Sequence, residues 1–179
     1  MDTKTQRREA AMARSRTFGL LTAAVMGATA FVGIATPAAA ADSIIEFAPG
    51  DACSGFTLRI EITGTPNATR DFTDHSGNLV KQITAGKGVD LLFFNKETGA
   101  SVSLKANGSV NKTTFNPDGS QTVATTGHNV LILFPSDIPA GPTTTLYVGR
   151  VVFTVAAGTG IFTLLTTSGK STDICAALL

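Results

Sequence analysis

The sequence predicts an all-β fold, an antiparallel β-sandwich of immunoglobulin-like or related type, with a β-barrel as the alternative. Three observations lead there. About nine or ten short β-type runs follow one another at the spacing of roughly 8–12 residues found in sandwiches and barrels, each bounded by Gly, Pro, Asn or Asp. No stretch with a 3.6-residue period lies between them, so the crossover helices that parallel strands require are missing. Two cysteines, Cys53 and Cys175, bracket almost the whole array.

Residues 1–41 read differently from the rest. Lys4, Arg7, Arg8, Arg14 and Arg16 make a basic stretch, residues 18–35 are apolar and rich in Ala, Leu, Val and Gly, and Pro37 precedes Ala38, Ala39, Ala40 and Ala41. Charge, apolar run and small residues in that order are the pattern of a signal peptide cleaved after Ala40 or Ala41. The alternative is a membrane-spanning helix of about 18–20 residues. Gly19, Gly27 and Gly33 make the run only moderately apolar, and Pro37 before the alanines is a better processing signal than a stop-transfer flank. The expectation is one secreted all-β domain over residues 42–179 with no membrane span after cleavage.

The elements follow in order. Residues 44–47 form a first strand stopped by Pro49, Gly50 and Asp51. In 56–63, Phe56, Leu58, Ile60 and Ile62 alternate with Thr57, Arg59, Glu61 and Thr63, the period of two that gives a strand one buried and one wet face. A turn at 64–67 leads to a polar strand at 69–73, and Ser76, Gly77 and Asn78 turn the chain into 79–84. Residues 89–94, with Leu91, Leu92, Phe93 and Phe94, read as a largely buried strand, joined by a hairpin loop at 95–99 to a strand at 100–106. Asn116, Pro117, Asp118 and Gly119 combine a residue of fixed φ with one suited to positive φ, so 109–115 and 120–126 become the arms of a polar hairpin. Strands are expected at 129–134, at 144–156 after a Pro-rich connection (135–142), and at 161–166 after Gly158 and Gly160; 172–178 fits a last strand or a short helical turn.

Composition excludes some functions. Removing residues 1–41 takes five of the 14 Lys and Arg and two of the 13 Asp and Glu, leaving 9 against 11, a charge of −2. A domain so close to neutral lacks the basic footprint of a nucleic-acid binder or of a protein held on anionic lipid. In an exported protein Cys53 and Cys175 are expected to be joined as a disulfide, the alternative being a reactive Cys with a neighbouring base.

Candidate sites are few. Asp71, Asp74 and His75 lie close together, and His128 is the only other histidine. Copper or zinc draws on several imidazoles or thiolates, so this polar cluster is expected to be a solvated strand end and no metal or other cofactor is expected. Residues 116–120 offer oxygen ligands without the spaced acidic pattern of a calcium loop. Ser136 and Asp137 near His128 supply residue types for nucleophilic hydrolysis, but no G-x-S-x-G elbow is present. Trp is absent and Tyr147 is the single tyrosine, so stacking on sugars or bases would rest on Phe, with Phe72 and Phe115 the two worth checking for exposure.

At Cys53 to Phe56, at Gly127 to Leu131 and at Thr172 to Ala176, the chain resembles small exported proteins of actinobacteria. The resemblance covers most of residues 42–179 as a layout. It implies a secreted, Cys-bracketed β domain and carries over neither an activity nor a site residue. The expected function is a non-enzymatic extracellular binding or envelope-associated module, its partner an extracellular protein, a glycan or an envelope component. The alternatives are a small secreted hydrolase or metal-dependent enzyme using His75 or His128, and a secreted inhibitor presenting the 135–142 loop.

Overall fold

The computed structural model describes residues 43–179, so the segment 1–41 expected to be a signal peptide lies outside the described residues. Ten strands run β1 (Ser43–Phe47), β2 (Leu58–Thr63), β3 (Ala68–Thr73), β4 (Leu79–Gly86), β5 (Asp90–Asn95), β6 (Ser101–Leu104), β7 (Ser109–Phe115), β8 (Gln121–Leu133), β9 (Thr143–Val155) and β10 (Phe162–Asp173), and a helical turn α1 (Ile174–Ala177) follows. They build a four-stranded sheet of order β1-β2-β5-β6 and a six-stranded sheet of order β10-β9-β8-β7-β4-β3, with every strand pair antiparallel. This is the sandwich expected from the alternation. The strand order is that of a related sandwich, not the immunoglobulin order itself.

The alternation in β2 decides which way the small sheet faces. Leu58, Ile60 and Ile62 are buried, and they meet Phe93 of β5 and Val130, Ile132 and Leu146 of the large sheet. On the opposite face Arg59 bonds Glu61 at 2.6 Å, while Glu46 takes Lys96 at 2.9 Å. Fully burying a side chain of this size contributes roughly 1.5–3 kcal/mol, whereas exposed ion pairs contribute little; the inward row is what holds the small sheet in place.

The C-terminus closes this core. Ile174 and Leu178 are completely buried in it, and Asp173 caps the helical turn by accepting from the Ala176 N–H at 3.0 Å. Cys175 is bonded to Cys53 with their Cα atoms 5.6 Å apart, which fastens the end of β10 in one sheet to the loop after β1 in the other. Two buried hydrogen bonds work beside it: Thr144 Oγ1 donates to the Ala52 carbonyl at 3.0 Å, and Asn95 Nδ2 donates to the Leu178 carbonyl at 3.1 Å.

The large sheet differs from expectation in one respect. Residues 120–126 and 129–134, read as two strands, are one strand, β8, and β10 likewise continues to Asp173 instead of stopping near 166. Gly127 pairs with Gly149 and Gly149 with Gly169, so three glycines stand in one row across β8, β9 and β10. Their φ angles are +95°, +150° and +94°. Side chains on one face on either side of this row, Val123 and Leu131, line the same small cleft, although eight residues of straight strand span about 26 Å. The strands therefore bend sharply at the glycine row. A second core is formed by Val123, Leu131, Leu133, Val151, Phe153 and Phe162, four of which line that cleft.

Candidate functional site

Asp71, Asp74 and His75 sit at one strand end and its turn, and His128 lies apart from them. Asp71 lies on β3 and accepts from Gln82 Nε2 at 2.8 Å. Asp74 starts the following turn and accepts from the Ser76 and Asn78 N–H groups at 2.8 and 2.9 Å and from Asn78 Nδ2 at 3.0 Å. His75 is exposed in that turn. His128 is on β8, three strands away, its Nε2 3.1 Å from Asn107 Nδ2. Following the register from Asp71 through Gln82 and Thr113 to Val123 leaves His128 about five residues further along, roughly 20 Å from Asp71 at ordinary strand spacings. Among the described residues no three His, Cys, Asp or Glu side chains come together as metal ligands.

Asp137 has a structural task. It is buried, and its carboxylate accepts from the Phe134 N–H at 2.6 Å and the Phe162 N–H at 2.9 Å. Ile138 then makes a parallel bridge with Thr163, so the Pro-rich connection, with cis bonds at Pro139 and Pro142, is stapled along β10. Asp137→Ala is expected to destabilise the fold by about 2–4 kcal/mol, because two N–H groups lose their acceptor. A urea midpoint unchanged from the parent would contradict this role. Of the two Phe residues singled out, Phe72 is half-buried under Arg70 at 5.2 Å and Lys81 at 4.4 Å from its ring centre, and Phe115 is also half-buried.

Four surface carboxylates hold turns and loop ends. The Asn78 amide keeps Asp74 below its ordinary value of 3.8, the Ser120 hydroxyl does the same for Asp118, the Ala106 N–H followed by Lys105 for Asp90, and the Thr57 N–H for Glu97 below 4.5. With folded values below unfolded ones, their contribution is present above the unfolded values and is lost as pH falls through the lowered ones. Stability is thus expected to decline on acidification below about pH 5. Urea midpoints that hold steady or rise between pH 5 and pH 2 would contradict it.

The place where unsatisfied polar atoms do meet is the inside of the bend. Asn111 pairs with Thr125 across β7 and β8, and Thr125 pairs with Val151 of β9. On the other side of the glycine row Asn129 pairs with Tyr147. Between these pairs a partly open cleft of about 60 Å³ remains, walled by Val123, Leu131, Val151 and Phe153. Asn111 Oδ1, Thr125 Oγ1 and Asn129 Nδ2 are buried without a hydrogen-bond partner, and all three residues line it. Arg59 Nε, the fourth such atom among the described residues, belongs to the small sheet. Buried polar atoms are nearly always paired in proteins, so three unpaired ones around one opening make this cleft the candidate site.

None of these residues stands out in the sequence, where 109–115 and 120–126 read as a polar hairpin. The available signal is parity: Asn111, Thr113, Val123 and Thr125 share the face that carries Val151 and Phe153. Among the described residues no helix is long and apolar enough to cross a membrane. Compared with protein-family models, with curated proteins and with solved structures, the chain matches none.

Proposed function

We propose that this chain is a non-enzymatic, secreted or envelope-associated binding module, and that the cleft inside the bent sheet is where it holds part of a glycan or other envelope component. The observation that carries this reading is the meeting of Asn111, Thr125 and Asn129 around the cleft, each with an unpartnered buried polar atom. Side chains of the kind catalysis uses are spent elsewhere: Cys53 and Cys175 on each other, Asp74 on its turn, Asp137 on its loop. The leader pattern at 1–41 and the oxidised cysteine pair support export.

The test is co-sedimentation of the purified protein with insoluble bacterial envelope. Asp71→Ala, Asp74→Ala, His75→Ala and His128→Ala are expected to sediment like the parent, and Asn129→Leu to stay in solution. Loss of sedimentation in a folded His75 or His128 variant, with Asn129→Leu unaffected, would move the site to the polar residues and revive the enzyme alternative.

A further inference from the structure

Resting on the reading of the cleft as the binding site, we infer that the group it receives is an acetamido group, carried by an N-acetylated amino sugar or by an N-acetylated peptide end. Four features of the cleft converge on it. No charged side chain lines the opening, so an ionic group would enter without a counter-charge and lose its hydration. Asn129 Nδ2 is a donor, Asn111 Oδ1 an acceptor and Thr125 Oγ1 either, so the entering group must bring both an acceptor and a donor. A secondary amide brings a C=O and an N–H on neighbouring atoms.

The rest of the wall is mostly apolar, from Val123, Val130, Leu131, Val151 and Phe153 with Tyr147 beside them, and accepts a methyl. An acetamido group is a methyl joined directly to such an amide. A bare sugar hydroxyl would leave the apolar wall wet, and an aliphatic chain would leave the three polar atoms as unsatisfied as before. Size agrees: an engineered apolar cavity of about 150 Å³ takes benzene, so 60 Å³ encloses about two or three non-hydrogen atoms in proportion, the acetyl tip, with the amide nitrogen towards the opening. Thr125 is 6% exposed, and its hydroxyl has no other partner.

The test is saturation-transfer NMR on the intact protein with N-acetylglucosamine, glucosamine, glucose and N-acetylalanine methylamide. Transfer is expected to be strongest at an acetyl methyl and at least tenfold weaker for both unacetylated sugars. Comparable transfer to the acetylated sugar and the acetylated peptide means that the acetamido group alone is read; transfer to one of them identifies the carrier, and each of these results supports the inference. Thr125→Val removes the hydroxyl at nearly constant shape, and is expected to keep the parental Tm while weakening transfer at least tenfold.

Glucosamine matching N-acetylglucosamine, or a Thr125→Val protein that binds as the parent does, would overturn the inference. If no acetylated probe binds while the parent still sediments with envelope, the acetamido inference falls and the binding-module reading stands. If sedimentation fails as well, both fall.

Discussion

Replacing Gly149 by alanine is expected to cost about 3–5 kcal/mol, a large share of a fold whose whole stability is of the order of 5–15 kcal/mol. Two causes add. The residue sits at φ +150° in the middle strand of the bent ladder, a conformation that L side chains rarely adopt. A Cβ there would also collide with the Ser168 carbonyl of β10, and that atom is backbone in a paired strand, so relief requires β9 and β10 to separate. Gly158 supplies the control. It too has positive φ, +74°, but a Cβ would meet nothing within 4 Å, and its alanine variant is expected to lose only about 1 kcal/mol. Equal losses in the two variants, measured by urea denaturation, would contradict the account of the bend.

Breaking the disulfide is the second large effect. Cys53 and Cys175 are separated by 122 positions, and closing a loop of that length stabilises by about 4–5 kcal/mol in the chain-entropy treatment. The bond also ties α1 to the loop after β1, with Ile174 and Leu178 buried in the first core beside it. The Cys53→Ala, Cys175→Ala double variant is therefore expected to lose about 2–5 kcal/mol, and hydrogen exchange at the end of β10 and in α1 should speed up before exchange in β2 or β5 does. Identical urea midpoints with and without reductant would show the bond to be energetically idle.

Much of this architecture was legible where a short strand has one wet face. Leu58, Ile60 and Ile62 announce β2 by alternation, and Asn116, Pro117, Asp118 and Gly119 announce the β7–β8 turn, where Gly119 has φ +81°. The pairing of Cys53 with Cys175 follows from there being no other cysteine. The continuity of β8 was not legible, since a glycine followed by polar residues reads as a break. Glycine inside a strand also marks close approach of another backbone, and that is its use at Gly127, where a Cβ would collide with the Gly108 carbonyl.

The far half of β10 carries no alternation to read. Thr166 through Asp173 are all exposed, and they are held in the sheet by backbone pairing to β9. The cleft was hidden for a related reason. In β7 the usual polarity is inverted, with Val110 45% exposed while Asn111 faces the bend and Thr113 is buried. A pattern that places apolar residues inside and polar ones outside assigns that strand the wrong way round, and only the register against Thr125 and Val123 corrects it. Of the polar residues that do attract attention in the sequence, Asp71, Asp74 and His75 stay at one strand end and its turn, while His128 lies three strands away.

The proposed binding site is the cleft inside the bent sheet. The most direct measurement is a protein-observed NMR map of the intact chain with solubilised envelope fragments added to saturation. Shifts confined to the Asn111 and Asn129 side-chain amides, the Thr125 methyl and the neighbouring Val123, Leu131 and Val151 methyls are the expected result. Shifts centred on His75, Asp74 and Asp71, or on His128 and Asn107, with the cleft methyls unmoved, would contradict it.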